Sequence, residues 1–314
     1  MKICVAGAAG AFGIKHLDAI SAIDGIQVVS VVGGEPDDIE GFARGRNIPH
    51  ATKNLADSLA RSDVEAVILA TPTPLHAAQA VACMRAGKHV LVEIPMADNL
   101  ADAEAVVRAQ QETGRIAMAG HVRRYNPSHQ WIHDRIVAGE LKIQQLEVQT
   151  FFFRRTNMNA LGKPRTWTDH LLWHHACHTV DLFQYQTGEV ASEVFGLQGP
   201  IHPTLGIAMD MAIGMKVPSG AICTLSLSFN NKGPLGTFFR YICDNGTYVA
   251  RYDDLVDGDD KPIDLSQVAV SRNGIELIDR AFFTAIREGS EPNGSVAQVL
   301  PAMRTLDRIE KALR

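Results

Sequence analysis

The sequence is poor in three features, and each shortage excludes a class of protein. No apolar stretch in its 314 residues approaches the ~18 residues that a membrane helix needs. Its five cysteines are odd in number and scattered, which is typical of buried, reduced thiols and not of a disulfide framework. Its formal net charge of -5 creates no global positive field that would favour nucleic acid or an anionic membrane.

What the sequence does contain is typical of a cytoplasmic globular protein with a small ligand. Apolar residues make up 46% of the chain and charged residues 21%. The first residues carry one lysine and then a short apolar run over 3–6, which predicts a strand and not a signal peptide. Basic residues form local pairs such as Arg154-Arg155, and local pairs suit a small anion better than a polymer. The length is sufficient for two domains.

The first 120 residues alternate short β-branched runs with segments of helical period. Gly87 and Gly114 follow two of the helical segments, where a left-handed helix end is wanted. Such alternation forces right-handed crossovers and a parallel sheet, so we predict an α/β Rossmann domain over residues 1–120. Its strands are predicted at 3–6, 28–32, 66–70, 89–93 and 116–119, and its helices at 14–20, 76–84 and 101–112.

After Gly120 the pattern changes to strands that follow one another through turn signals, such as those at 218–220 and 244–246. We therefore predict an α+β domain over residues 121–314 with a large, open and mostly antiparallel sheet and two C-terminal helices. This domain would bind the substrate, and an uncovered sheet face would form a homodimer. Strands are predicted at 145–153, 190–198, 209–216, 221–229 and 238–244, and helices at 170–185, 276–288 and 296–313.

A glycine-rich turn, GAAGAFG over residues 7–13, directly follows the first strand and opens a helix. Glycines are needed at such a turn because a dinucleotide pyrophosphate approaches the backbone and the helix packs closely on the strand. The spacing departs by one residue from the commonest form, and a purely structural turn is the alternative. We predict that the cofactor is bound by Gly7, Gly10, Ala11, Phe12 and Gly13.

The choice between NADP and NAD depends on the end of the second strand. An acidic side chain there would bind the ribose hydroxyls of NAD. Here Val32 is followed by Gly33 and Gly34, and Glu35 comes only afterwards. This arrangement favours NADP, with NAD as the alternative.

Three further segments make the resemblance more specific than a Rossmann domain. They are ATPTPLH at 70–76, AGKHVLVEIP at 86–95 and GHVRRYNP at 120–127. Together they resemble the glucose–fructose oxidoreductase/inositol dehydrogenase family along essentially the whole chain. The resemblance implies a nicotinamide-dependent dehydrogenase. It also implies cofactor contacts from Thr71, Pro72, Thr73, His76, Glu93 and Trp167.

Rarer segments indicate one kind of substrate. FFRR at 152–155, WTDHLLWHH at 167–175 and LSLSFNN at 225–231 resemble family members that oxidise a cyclic hemiacetal, formed in protocatechuate 4,5-cleavage, to 2-pyrone-4,6-dicarboxylate. That substrate carries two carboxylates, which arginine binds through a planar fork. A solvated surface charge is the alternative for each arginine, and Tyr125 and Trp167 could equally pack in a core. The candidate substrate contacts are Arg124, Arg154, Arg155, Arg165 and Tyr125.

One departure from the family affects the catalytic base. The family usually has Glu-Lys-Pro where this chain has Glu93-Ile94-Pro95, and Ile94 cannot accept a proton. The resemblance places a site histidine at His178, so we expect His178 to take the hydroxyl proton as hydride leaves for the nicotinamide. A histidine suffices in this hypothesis because the ring oxygen makes a hemiacetal hydroxyl more acidic than a sugar hydroxyl. Asp181 would orient that imidazole.

The histidine-rich segment 169–181 permits other roles. In a helix His170, His174 and His178 would share one face, and such spacing can hold zinc, but we expect no metal because the family uses none. His174 stands where many relatives carry an aspartate and is a further catalytic candidate. His170 and His175 have packed, hydrogen-bonded histidines as their alternative.

Two other hypotheses about function stay open at this point. One is a polyol or sugar dehydrogenase of the same family, against which the missing lysine and the local arginines argue. The other is a non-catalytic NADP-binding sensor, which the missing lysine permits. Fold-level analogy alone does not separate these hypotheses.

Overall fold

The computed structural model describes residues 1–34, 38–158, 162, 164–165 and 167–313. The chain divides into two compact units, and each unit contains its own sheet. The first unit comprises Met1–Gly120, Met158–Lys163 and Ile275–Leu300. The second comprises His121–Asn157, Pro164–Gly274 and Pro301–Arg314.

The first unit is built on a parallel sheet. Its strands are β1 Lys2–Ala6, β2 Gln27–Val32, β3 Ala51–Thr52, β4 Ala66–Leu69, β5 His89–Val92 and β6 Ala117–Ala119. Among the described residues these six strands pair in the order β3-β2-β1-β4-β5-β6. Cys4 of β1 pairs with Ser30 on one side and Val67 on the other, so the strand order reverses at β1. Sheets of this kind bind ligands outside the carboxyl ends of the strands at such a reversal.

The helices of this unit begin and end at residues that cap them. The side chain of Asn99 accepts a hydrogen bond from the backbone N–H of Asp102 at 2.9 Å, and Gly114 ends that helix with φ of 62°. Gly87 also has a positive φ, of 78°, so both predicted left-handed helix ends are confirmed. The helices are α1 Ala11–Ile20, α2 Ile39–Gly45, α3 Leu55–Leu59, α4 His76–Arg85 and α5 Leu100–Thr113.

The second unit is built on a mostly antiparallel sheet. Its strands are β7 Ile143–Phe151, β8 Glu193–Gln198, β9 Asp210–Lys216, β10 Ile222–Ser228, β11 Gly236–Cys243, β12 Gly246–Arg251 and β13 Asp254–Asp257. In the part of this unit that the structure describes, they pair in the order β13-β12-β11-β7-β10-β9-β8. β7 and β10 pair in parallel, and the other neighbours in that sheet pair antiparallel.

One face of this second sheet is buried and the other is exposed. Leu146 and Val148 of β7 and Leu225 of β10 are buried, and they point to the face that α7 contacts. On the opposite face, Phe195 of β8 is 54% exposed and Ile222 of β10 is 38% exposed. The helices of this unit are α6 Pro127–Val137 and α7 Cys177–Thr187, and a π-helical turn over Leu171–Ala176 leads into α7.

Two helices, α8 Gly274–Glu288 and α9 Val296–Ala312, close the chain. The sequence division placed both helices with the second domain, whereas residues 275–300 belong to the first compact unit. The reason is tertiary: Asp279 is hydrogen-bonded to His16 of α1, and Ser295 forms a β-bridge with Met118 of β6. From Pro301 onward, α9 belongs to the second unit.

The predicted fold class is confirmed: a parallel Rossmann-type sheet is followed by a large, mostly antiparallel sheet. The sequence analysis missed β3, α2, α3, α6, β12 and β13, most of which are too short to show a hydrophobic period. Within the described ranges, no helix is both long and apolar enough to cross a membrane.

Candidate active site

The glycine-rich turn after β1 is closed by backbone hydrogen bonds and leaves no room for a side chain at Gly7 or Gly13. The N–H groups of Gly7 and Ala8 donate to the carbonyl of Val32 at 2.8 and 3.2 Å. Gly7 has φ of 76°, a left-handed conformation that favours glycine. A Cβ at Gly7 would collide with the carbonyl of Ala70, and a Cβ at Gly13 would collide with the carbonyl of Gly7.

The start of α1 completes a site that fits a pyrophosphate. Gly10 precedes the helix in an extended conformation, and its lack of a capping side chain leaves the first N–H groups of α1 for a ligand. Ala11 and the half-exposed Phe12 form the first turn. A backbone cradle that a Cβ would fill, beside a helix N-terminus, is what a dinucleotide phosphate requires.

The segment after β4 is held in place mainly by His76. Its Nδ1 lies 2.8 Å from the carbonyl oxygen of Pro95, and its Nε2 lies 2.7 Å from that of Thr71. The buried side chain of His76 therefore connects the loop after β4 with the loop after β5. The hydroxyl of Thr71 donates to Gln79 at 2.6 Å, and Thr73 is buried in the 3₁₀ turn that follows Pro72.

At the end of β2, Gly33 donates its N–H to the carbonyl of Thr52 at 3.1 Å. Val32, Gly33 and Gly34 place no acidic side chain there. Glu35, which entered the sequence argument about cofactor choice, lies outside the described residues.

The histidine-rich segment does not form one regular helical face. His170 caps the π-helical turn, where its Nδ1 accepts the N–H of Leu172 at 3.1 Å. The turn is wider than an α-helix, so a spacing of four residues no longer repeats along one side. His174 lies near Asp169, and His178 lies near His121. Within the described part of the chain, no group of three acidic, histidine or cysteine side chains could hold a metal ion.

His178 is one of two histidines in the 169–181 segment that have a buried ring nitrogen without a partner among the described residues; Nε2 of His175 is the other. In His178 this nitrogen is Nδ1. Its ring meets the ring of His121 edge-on, with centroids 6.0 Å apart. Burial and the nearby charge of Arg123 hold the pKa of His178 well below its usual value, so its imidazole is neutral at neutral pH.

Asp181 contacts Arg124 and His121. The guanidinium of Arg124 donates to both carboxylate oxygens, from Nε at 2.8 Å and from Nη2 at 2.6 Å. Nδ1 of His121 lies 3.4 Å from Asp181 Oδ2. Among the described residues Asp181 forms no hydrogen bond or ion pair with His178, so a polar effect on that histidine would pass through His121.

Asp169 is the centre of a second group of charges, here called the Asp169 cluster: Asp169, Arg154, Arg165, Trp167 and His174. Arg154 Nη2 donates to Asp169 Oδ2 at 3.4 Å, and Arg165 Nη1 donates to the same oxygen. Trp167 Nε1 donates to the other oxygen at 3.1 Å, and His174 Nε2 lies 3.8 Å from Oδ2. Despite burial, the charges of His174, Arg165 and Arg154 lower the pKa of Asp169 to about 2.

The Asp169 cluster leaves donors unused. Within the described chain, Arg154 Nη1 and Arg165 Nε and Nη2 are buried without a hydrogen-bond partner. A buried unpaired donor costs about 1–3 kcal/mol, more when it is charged. A cluster that keeps several such groups on two guanidinium ions is therefore suited to an anionic ligand that supplies acceptors.

The other candidate arginines donate to groups of the chain itself. Arg155 is exposed, and its Nη1 donates to the carbonyls of Arg154 and Phe229 at 2.7 and 3.3 Å. Nε and Nη2 of Arg124 both donate to the carboxylate of Asp181, so these donors are already used. Tyr125 is buried, and burial raises the pKa of its hydroxyl, with Arg124 close by.

Two participating residues were missed as site residues in the sequence analysis. Asp169 was noted only as part of the histidine segment, and His121 was noted only within the segment 120–127. A carboxylate four residues after Arg165 was the available signal for Asp169, because such a pair can meet locally. No local signal connects His121 with Asp181, which lies 60 positions further along the chain.

Comparison with known proteins shows which family of enzymes this chain resembles in sequence and fold. Residues 1–121 match the oxidoreductase family with an NAD-binding Rossmann fold, and residues 127–269 match the C-terminal domain of bacterial oxidoreductases. The solved structure of levoglucosan dehydrogenase in complex with NADH has a TM-score of 0.85 at 20% identity, covering 99% of this chain and 96% of that chain. At that identity the likeness shows the fold.

Two relatives with higher sequence identity are themselves dehydrogenases. The chain is 63% identical over 313 residues to 4-carboxy-2-hydroxymuconate-6-semialdehyde dehydrogenase of Sphingobium sp. (strain NBRC 103272 / SYK-6), covering 100% of this chain and 99% of the relative. It is 29% identical over 224 residues to inositol 2-dehydrogenase of Mycolicibacterium smegmatis (strain ATCC 700084 / mc(2)155), covering 70% and 63%.

The fold, the nucleotide turn and these matches define an NAD(P)-dependent dehydrogenase. The chain belongs to the glucose–fructose oxidoreductase/inositol dehydrogenase family, and the resemblance found in the sequence is confirmed.

Proposed function

We propose that this dehydrogenase oxidises the cyclic hemiacetal of 4-carboxy-2-hydroxymuconate-6-semialdehyde to 2-pyrone-4,6-dicarboxylate, with NADP as the cofactor. The observation that carries the proposal is the set of buried, unpaired guanidinium donors in the Asp169 cluster. The 63% identity to a dehydrogenase of that semialdehyde supports it. In the reaction the hemiacetal carbon loses a hydride and its hydroxyl loses a proton, which leaves a lactone carbonyl.

In this proposal Arg154 and Arg165 bind one substrate carboxylate. Asp169 neutralises only one of these two positive charges. A carboxylate would bring the missing acceptors and balance the second charge, through the planar fork geometry that guanidinium offers. Trp167 donates to the Asp169 carboxylate, and His174 lies beside it. In this proposal both residues position Asp169 and, through it, the two arginines.

His178 is the proposed acceptor of the hydroxyl proton. The family lysine is replaced by Ile94, which is buried and carries no basic atom. His178 is neutral and has a free Nδ1, so it can take a proton from a hydroxyl placed against it. Burial and then the positive charge of Arg123 hold the pKa of His178 down; a dicarboxylate would offset the charge, so the base would strengthen when substrate binds.

Asp181 takes part indirectly in this proposal. Its carboxylate is fixed by Arg124 and lies 3.4 Å from His121, whose ring packs against His178. Arg124 and Asp181 would thus orient the neighbour of the base. Buried Tyr125 lies beside this pair and would line the substrate site.

The first unit contributes the cofactor half of the proposal. Gly7, Gly10 and Gly13 would hold the pyrophosphate, and Thr71 and Glu93 would contact the nicotinamide half. The bound cofactor supplies the acceptor for the hydride. The absence of an acidic side chain at Gly33 and Gly34 supports NADP over NAD.

The test uses the enzymatic 4,5-cleavage product of protocatechuate with NADP and then with NAD. Nicotinamide absorbance follows the oxidation, and chromatography identifies the product. We expect rapid NADP reduction with formation of 2-pyrone-4,6-dicarboxylate. Cofactor binding with turnover of inositol or glucose in place of the hemiacetal would contradict the proposal and favour a polyol dehydrogenase.

We also propose that two copies pair through the exposed face of the second sheet. Phe195 and Leu197 on β8, and Ile222 on β10, are between 38% and 54% exposed on this face. Exposed apolar side chains concentrated on one face are typical of an interface. Sedimentation analysis should show a dimer that Phe195→Glu dissociates, and a wild-type monomer at micromolar concentration would contradict the proposal.

A further inference from the structure

Three titratable side chains of the first unit form a buried chain, here called the His16 cluster: His16, Asp279 and Glu93. Nδ1 of His16 lies 2.8 and 3.1 Å from the two carboxylate oxygens of Asp279 on α8. Nε2 of His16 lies 3.0 Å from Oε1 of Glu93, which follows β5. The side chains of His16 and Asp279 are fully buried, and that of Glu93 is 13% exposed.

With both carboxylates ionised, this geometry is satisfied only if both nitrogens of His16 donate. A neutral imidazole has one N–H and would place a lone pair against one of the two carboxylates, whereas an imidazolium donates to both. Burial by itself would lower the pKa of His16, but the charge and hydrogen bond of Asp279, with those of Glu93, raise it to about 10. The histidine is therefore a buried cation between two anions.

The contacts with His16 also keep the Glu93 side chain charged and in one orientation. Burial would raise its pKa, but the hydrogen bond and charge of His16 lower it, so the carboxylate is ionised. Its Oε2 accepts the N–H of Ile94 at 3.1 Å. A Cβ at Gly120 would lie 3.1 Å from the Cα and 3.2 Å from the carboxyl group of Glu93, so the glycine permits this close packing.

The accessible edge of Glu93 lies where a cofactor is expected. β5 is parallel to β4 and β1, so its carboxyl end lies at the same edge of the sheet as Thr71 and the Gly7 turn. Ligands bind at this edge in sheets of this topology. A carboxylate only accepts hydrogen bonds, and the nicotinamide riboside offers donors in its amide N–H₂ and its ribose hydroxyls.

We propose that His16, held by Asp279, is a positioning residue that keeps the Glu93 carboxylate ionised and in one orientation as the acceptor for an N–H or O–H donor of the nicotinamide riboside. The proposal rests on the cofactor half of the proposed function and not on the identity of the oxidised substrate. It explains why two carboxylates and a histidine are buried together at a site where the proton-transfer step needs none of them.

The first measurement is made on the cofactor-free protein. Histidine nitrogen shifts, assigned by sequence-specific NMR correlations in the wild-type chain, should show both nitrogens of His16 protonated at pH 8. A neutral His16 at pH 8, or one that titrates near its usual value, would overturn the proposal. This readout uses the wild-type chain, so it stands even where a variant fails to fold.

The second measurement is the dissociation constant of NADP, and of NAD, by calorimetry between pH 5.5 and 8.5 without substrate. Wild type should bind independently of pH in this range. His16→Asn and the nearly isosteric Asp279→Asn should bind about tenfold more weakly, and more weakly still as the pH falls, because Glu93 without an imidazolium neighbour becomes protonated more easily. Folded variants with the wild-type affinity and a flat profile would overturn the proposal.

Other charged groups face this cluster and enter the pH analysis. His76 is close to Glu93, and Glu276 of α8 is close to Asp279. Glu276 is paired with Arg280 at 2.7 Å, so its charge is already compensated. His76→Asn combined with His16→Asn tests whether His76 contributes to any residual pH dependence.

A matched control separates lost stability from lost positioning. His129 is a buried histidine of the second unit whose Nδ1 is 2.8 Å from the hydroxyl of Tyr241. His129→Asn should lower the melting temperature without changing cofactor affinity. The acetylpyridine analogue of the cofactor lacks the amide N–H₂ and keeps the ribose hydroxyls, so it identifies the donor. The ratio of NADP affinity to analogue affinity should be larger in wild type than in His16→Asn if Glu93 accepts from the amide, and equal in the two proteins if it accepts from a ribose hydroxyl.

Discussion

The His16 cluster and the Asp169 cluster are both buried groups of charges, and they differ in how completely their polar atoms are paired. In the His16 cluster both ring nitrogens of His16 face carboxylate oxygens, and Oε2 of Glu93 accepts a backbone N–H. In the Asp169 cluster, Arg154 and Arg165 retain buried N–H groups that have no partner in the described chain.

This difference distinguishes two uses of buried charge. A fully paired group resists change, since removing one partner leaves an uncompensated charge that costs several kcal/mol. It is suited to holding another side chain in place. An incompletely paired group is unfavourable until a ligand supplies the missing acceptors, so it is suited to binding. The comparison therefore supports the proposed positioning role of His16 and the proposed ligand-binding role of Arg154 and Arg165.

The largest effect is expected from His178, since proton transfer depends on it. His178→Asn should lower kcat about 10²- to 10⁴-fold, the usual contribution of a general base, and should leave cofactor affinity unchanged. Steady-state kinetics and calorimetry measure the two quantities. His170→Asn is the matched control, because His170 belongs to the same segment and caps its start by accepting the N–H of Leu172. A kcat within twofold of wild type would remove His178 from the base role.

The second-largest effect is expected on substrate binding, when a guanidinium that has unused donors is removed. Arg165→Met keeps the apolar stem and removes the donors, so KM for the dicarboxylate should rise about 10- to 100-fold. Arg155→Met is the control, since Arg155 is exposed and donates to backbone carbonyls. Equal effects of the two substitutions would show that general positive charge, and not the buried donors, binds the substrate.

The pH profile tests whether the ligand alters the base. His178 must be neutral to accept a proton, and its pKa is lowered in the free enzyme by burial and by Arg123. Bound carboxylates favour the imidazolium and so raise that pKa. The acid limb of kcat, which reports the complex, should therefore lie about one pH unit above that of kcat/KM, which reports the free enzyme. Coincident limbs would contradict this coupling.

The smallest effect is expected where a single hydrogen bond from an uncharged donor is removed from the Asp169 cluster. Trp167→Phe keeps an aromatic ring beside Arg165 and removes the donor to Asp169 at 3.1 Å. KM should rise only about 2- to 10-fold, because in the proposed site Trp167 acts on the substrate only through the orientation of Asp169. A loss as large as that of Arg165→Met would mean that Trp167 contacts the substrate or cofactor directly.

Local features of the sequence were sufficient for the fold class and for the nucleotide turn. The glycines at 7, 10 and 13 were identifiable because turn geometry depends on a few adjacent residues. Strand positions followed from β-branched runs, and the change at Gly120 followed from a change in turn signals. The short elements β3 and α3 were not identifiable, because a run of two or five residues carries little periodic signal.

The partners of the charged side chains depend on tertiary contacts and could not be predicted from local spacing. The sequence paired Asp181 with His178 by helical spacing, but Asp181 is bound by Arg124 and His121, which precede it by 57 and 60 positions. It also treated all four candidate arginines alike, whereas packing leaves unused donors on Arg154 and Arg165 and occupies the fork of Arg124.

The Rossmann domain and the second, β-rich domain could be predicted from the sequence, and a histidine–arginine site was proposed from it, since each of these depends on patterns within a few turns of chain. The pairing of the buried charges became visible in the folded chain. His16 and Asp279 are 263 positions apart, and contact between them depends on how α1 and α8 pack in the first unit. Such contacts are fixed by burial and by the demand that buried polar groups find partners, and neither is written in local periodicity.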